Sequence, residues 1–155
     1  MEPNNEQPRK TLEEQLVEQR AYWYSWINEL TKGLKYMDKL PDLQVEVFSR
    51  RQEALDQYHS FAAKLAALTK RYKENYAKLY TEIRPMKLAP GTTAMMYSTE
   101  RAINDQIEAR LSADKYTIEL VESYMNYMDS TIKTIDGIIY AITNRIKIEE
   151  IKIGR

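Results

Sequence analysis

The stretch KRYKENYAKLYTEIRP, residues 70 to 85, sets Tyr72, Tyr76 and Tyr80 four residues apart among Lys70, Arg71, Lys73, Lys78 and Arg84. Residues 61 to 90 hold seven basic side chains, these five with Lys64 and Lys87, against only Glu74 and Glu82. Cations at this density neutralise phosphates, and aromatic faces stack on unpaired bases; single-stranded nucleic acid calls for both. The same residue types also describe an ordinary helix, with tyrosines packed inward, hydroxyls wet and lysines solvated. Both readings stand at the level of the residues.

Other chemistries find few carriers. His59 is the only histidine and there is no cysteine, so one chain cannot assemble a His-based acid–base pair, a Ser-His relay, a multi-His metal site or a thiolate nucleophile. Asp56-x-x-His59 has the spacing of one half of a di-iron bundle site, but that site needs a second such motif, and none occurs. Neither G-x-x-x-x-G-K-[ST] nor G-x-G-x-x-G is present to cradle a nucleotide. The expectation is a non-enzyme without cofactor or metal, and His59 reads as a partly exposed helix residue.

The chain has 155 residues, 23 basic and 23 acidic, with a mean hydropathy of -0.63. Zero net charge argues against a uniformly basic surface but leaves local tracks possible. No run approaches the roughly 18 apolar residues of a membrane span, MEPNNEQPRK has no apolar signal region, and the missing cysteines suit a reducing compartment. A cytoplasmic protein without membrane contact is expected.

The elements that must position the tyrosines are helices. Residues 1 to 10 read as a flexible tail and 11 to 155 as one helical domain. Thr11-Leu12-Glu13-Glu14 has the form of a capping box. Trp23, Ile27, Leu30, Leu34 and Met37 then continue to Leu40-Pro41-Asp42, which is read as the stop, giving a first helix over about 11–40. A second helix spans about 43–84, with Leu55, Tyr58, Ala62, Leu65, Leu68 or Tyr72, Tyr76, Leu79 and Ile83 near one face. RPMKLAPGTT, residues 84 to 93, is read as a loop from Pro85, Pro90 and Gly91. A third helix over about 93–145 follows, with Ile107, Leu111, Asp114, Ile118, Val121, Met125, Met128, Ile132, Ile135, Ile139, Ile142 and Ile146 in strict four-three alternation. Asp114, in LSADK, marks a bend, a buried polar register device or a restart capped by Ser112. RIKIEEIKI, from Arg145, alternates like a short strand or an extended tail.

At about 1.5 Å per residue these helices would measure roughly 45, 63 and 75 Å. Such unequal lengths leave an apolar stripe for another subunit to cover, so a homo-oligomer is expected, with Met128, Ile132, Ile135, Ile139, Ile142 and Ile146 at its interface. A compact four-helix monomer, split near residues 111 to 115, is the alternative.

LSADK at 111 to 115, Ser123, IYAITNR at 139 to 145 and IKIEEI at 146 to 151 together resemble the UvsY family of bacteriophage recombination mediators. YSWINEL at 24 to 30 is similar to a stretch of that family's first helix, and the likeness spans residues 20 to 152. The resemblance implies an all-helical protein in closed rings that binds single-stranded DNA. Its role would be to help a RecA-like recombinase displace single-strand-binding protein, in the host cytoplasm if the chain is phage-encoded. The family's DNA-binding Tyr-Tyr-x-Gly corresponds to Leu79-Tyr80-Thr81-Glu82 here, with Lys70, Arg71, Lys73 and Lys78 upstream. Leu79 stands in place of a Tyr and Glu82 in place of the Gly. The implied DNA-binding set is Lys64, Lys70, Arg71, Tyr72, Lys73, Tyr76, Lys78, Tyr80, Arg84 and Lys87. The alternative is a structural helical oligomer or phage assembly adaptor without nucleic-acid binding.

Overall fold

The capping box forms as its residue types dictate. The Glu14 N–H donates to Thr11 Oγ1 at 3.2 Å and the Thr11 N–H to Glu14 Oε2 at 2.8 Å, supplying partners to amides that a helix start leaves bare. In this computed structural model, which describes residues 10–83 and 100–154, α1 runs from that cap over Leu12–Gly33. A 3-10 turn at Met37–Lys39 precedes α2 (Leu40–Ile83), α3 (Glu100–Arg110) and α4 (Ser112–Ile153). The protein is all-α: there is no strand among the described residues.

Three boundaries differ from the sequence reading. Helix one ends at Gly33, where an added Cβ would stand 3.1 Å from Leu43 Cδ1, so the next helix approaches closely at this point. Pro41 starts α2 instead of stopping α1, because its ring fits the first turn, where the missing N–H would have no partner. RIKIEEIKI is helical to Ile153; its alternation reflects no sheet partner, and the i to i+4 ladder prevails. The break near residue 111 is slight. Leu111 accepts from the Lys115 amide at 2.9 Å and donates to Ile107 at 2.9 Å, so helical bonds pass through it, and Asp114 turns to Arg71. The expected loop at 84 to 93 and the tail up to residue 9 lie outside the described residues.

The described residues group into two compact units, one within Met1–Tyr58 and Tyr124–Arg155, the other within His59–Ser123. In the first, three helical segments bury every seventh side chain: Leu16, Trp23 and Leu30 on α1, Leu40, Val47 and Ala54 on α2, and Met128, Ile135 and Ile142 on α4. This is the heptad signature of a coiled-coil-like seam. Tyr124 and Thr131 widen the α4 stripe, which is therefore centred on one member of each predicted pair, while Ile132, Ile139 and Ile146 flank it half-buried.

Gln57 joins the three segments. Its Oε1 accepts from Trp23 Nε1 at 3.1 Å and from the Tyr124 hydroxyl at 3.1 Å. Around the rim, Trp26 Nε1 donates to Glu46 at 2.8 Å, Arg51 pairs with Asp136 at 2.5 Å, the Tyr127 hydroxyl donates to the Arg20 carbonyl at 3.0 Å, and Arg145 donates to the Leu34 carbonyl.

Three of the residues expected at a subunit interface are covered within one chain. Met128, Ile135 and Ile142 are at most 1% exposed within a single chain, so their burial needs no neighbour. Within the first unit α1 packs beside α2 and α4; within the second, α3 does. Large apolar side chains that do face solvent on the outer half of α4 are Tyr140, Ile148, Ile151 and Ile153.

Candidate nucleic-acid interface

The second unit contains residues 59–83 of α2, all of α3, and residues 112–123 of α4. No glycine or proline interrupts this part of α2, so helical geometry fixes where each side chain points. At about 100° per residue, Tyr72, Tyr76 and Tyr80 advance about 40° at each step and stay near the direction of Ile83. That direction is inward. Ile83, Ile103, Ile107 and Leu111 form the buried cluster, with Tyr72, Tyr76, Leu79 and Tyr80 packed against it.

The tyrosines carry hydroxyls that a buried face must satisfy, and α3 supplies the acceptors. The Tyr76 hydroxyl donates to Asn104 Oδ1 at 2.7 Å, and the Tyr80 hydroxyl to both Glu100 oxygens, at 2.9 and 3.0 Å. Tyr72 and Tyr76 stand with ring centroids 6.3 Å apart and planes tilted by 40°, packed on each other instead of presenting two open faces.

The cations run from the edge of the tyrosine face around to the far side of the helix. Lys64, Lys70, Lys73 and Lys78 are exposed. Lys64 Nζ lies 5.8 Å from the Phe61 ring centroid, and Lys70 reaches Glu74 at only 3.9 Å, a solvated pair worth little. Arg71 is committed across the unit, with Nη2 3.3 Å from Asp114 Oδ1. Lys73 and Lys78 form no ion pair among the described residues. Measured around the axis from Tyr76, Lys73 sits about 60° away and Lys70 about 120°, on the flank where Tyr80 lies; Lys78, Arg71 and Lys64 lie beyond, with Glu74 among them. The predicted residues thus divide into an inward aromatic face and an outward cationic arc, which meet where Lys73 and Tyr80 share a flank. Arg84 and Lys87 fall outside the described residues.

Charge is arranged across the unit as well. Residues 59–83 carry five cations and two carboxylates, whereas residues 100–123 carry Arg101, Arg110 and Lys115 against Glu100, Asp105, Glu108, Asp114, Glu119 and Glu122. The acceptors Glu100, Asn104 and Asp114 were absent from the sequence-derived site. A faint signal existed: Glu100 and Asn104 are one helical turn apart and are interleaved with Ile103 and Ile107, which marks one short helix with an apolar face and polar groups at its edge.

Among the described residues no group of three His, Asp or Glu side chains is placed to hold a metal ion, His59 is exposed, and no helix is long and apolar enough to cross a membrane. Comparison of the chain with protein-family models, with curated proteins and with solved structures finds no match.

Proposed function

We propose that this chain is a single-stranded DNA-binding recombination mediator, acting as a homo-oligomer that helps load a RecA-like recombinase onto DNA covered by single-strand-binding protein. The observation that carries the DNA-binding part is the exposed cationic arc on α2, in which Lys73 and Lys78 have no carboxylate partner among the described residues. The recombination role rests on the UvsY-like order of LSADK, IYAITNR and IKIEEI. Self-association is supported by Ile148, Ile151 and Ile153, which are 52 to 84% exposed at the end of α4. The mediator hydrolyses no nucleotide; ATP turnover belongs to the recombinase.

A structural helical oligomer is the second reading, favoured by one observation: Tyr72, Tyr76 and Tyr80 pack on the unit's own apolar cluster. The two readings part on nucleic acid. Fluorescence anisotropy of labelled oligo-dT, titrated at several salt concentrations, should show binding that weakens with salt. In Lys73→Ala and Lys78→Ala the log–log salt slope should fall by about 0.7 for each phosphate that a subunit no longer neutralises. A wild-type protein that leaves oligo-dT free at low salt sinks the first reading in favour of the second.

A further inference from the structure

The groups that occupy the tyrosines come from one short element. α3 is 11 residues long and buries only Ile103 and Ile107; Arg101, Asp105, Gln106, Glu108, Ala109 and Arg110 all face solvent. Its helical hydrogen bonds run on through Leu111 into α4, so it is held at that end and elsewhere by the docking of Ile103 and Ile107. Its docking groups are those a nucleic acid would displace. Asn104 and Glu100 take the Tyr76 and Tyr80 hydroxyls, and Asp114, just beyond α3, pairs with Arg71. Toward α2, this segment offers what a strand of DNA would: negative charge and hydrogen-bond acceptors.

We infer that α3 is a displaceable cover on the tyrosine face of α2, its Glu100 and Asn104 competing with single-stranded nucleic acid for Tyr72, Tyr76 and Tyr80. The inference rests on the DNA-binding reading and adds regulation to it. In the covered state only the outer lysines are available, and binding is electrostatic. When α3 opens by local unfolding, the aromatic edges beside Lys73 become available for stacking. Because binding-competent molecules are then a minor fraction, apparent affinity scales with the open population.

Two measurements on the full chain test this. The double variant Glu100→Ala with Asn104→Ala removes the hydroxyl acceptors, and Glu119→Ala removes one exposed carboxylate of the same unit as the charge control. The double variant should bind oligo-dT at least about threefold more tightly than the control. Ile103→Ala, which thins the cluster without touching a hydroxyl, should shift affinity the same way, and it carries the test if the double variant loses its helical circular dichroism. In wild type, amide hydrogen exchange over Glu100–Arg110 should speed up when oligo-dT binds. Both results are required. A smaller affinity gain, or α3 amides that are unchanged or better protected in the complex, overturns the cover while leaving lysine-based binding intact. If neither wild type nor any variant binds oligo-dT, the DNA-binding reading and the cover fall together.

Discussion

Gln57, itself only half-buried, is a hydrogen-bond acceptor for two fully buried rings. One oxygen serves donors from two other helical segments, Trp23 Nε1 and the Tyr124 hydroxyl, on rings that are both 0% exposed. Gln57→Met keeps the side-chain volume and deletes the acceptor, separating hydrogen bonding from packing. Each hydrogen bond contributes roughly 1 kcal/mol, and the Trp23 N–H is left with only its contact to the Tyr124 hydroxyl. The variant should lose about 2 kcal/mol, a sizeable part of the roughly 5–15 kcal/mol that holds a typical domain together. Urea unfolding followed by far-ultraviolet circular dichroism, at fixed protein concentration because self-association would shift the midpoint, measures it. A double-mutant cycle with Tyr124→Phe should give a coupling of about 1 kcal/mol, since removing the hydroxyl matters less once its acceptor is gone. A loss below about 0.5 kcal/mol with no coupling would refute the idea that Gln57 ties the three segments together.

Three further outcomes are expected. Burial pushes the Tyr124 phenol up to about 12 against the ordinary 10, so the folded state favours the neutral form. Its stabilising contribution should be complete below about pH 10 and be lost as pH rises toward about 12, on the order of 2 kcal/mol, and Tyr124→Phe should remove that part of the alkaline decline in urea midpoints. Gly137 lies inside α4 with nothing within 4 Å of an added Cβ, so Gly137→Ala should raise stability by about 0.5–1 kcal/mol; an unchanged or lower melting temperature contradicts this. Ile148→Glu with Ile151→Glu should dissociate the oligomer in light scattering without loss of helicity, whereas Ile135→Asp should unfold the protein, Ile135 being fully buried in one chain. An assembly indifferent to the glutamates places the subunit interface elsewhere.

Much of the backbone was legible in the residues alone, because local rules govern it. Thr11 and Glu14 specified where α1 begins, the scarcity of Gly and Pro specified long helices, and the four-three alternation from Ile107 to Ile146 specified a buried stripe along α4. Each follows from interactions within a turn or two of helix. What the alternation could not say is which helix covers the stripe. Ile135 and Ile142 read equally well as an interface between subunits and as a seam within one chain, because an apolar side chain carries no mark of its partner. The site shows the same division. Spacing placed Tyr72, Tyr76 and Tyr80 on one side of α2 and counted the cations around them, but only tertiary packing turned that side toward Ile103 and Ile107. The hydroxyl acceptors on Glu100 and Asn104 lie 20 and 28 residues from the tyrosines they meet. Helical periodicity relates residues three and four apart; partners at such separations are selected by which faces bury together, and that is decided when the helices pack.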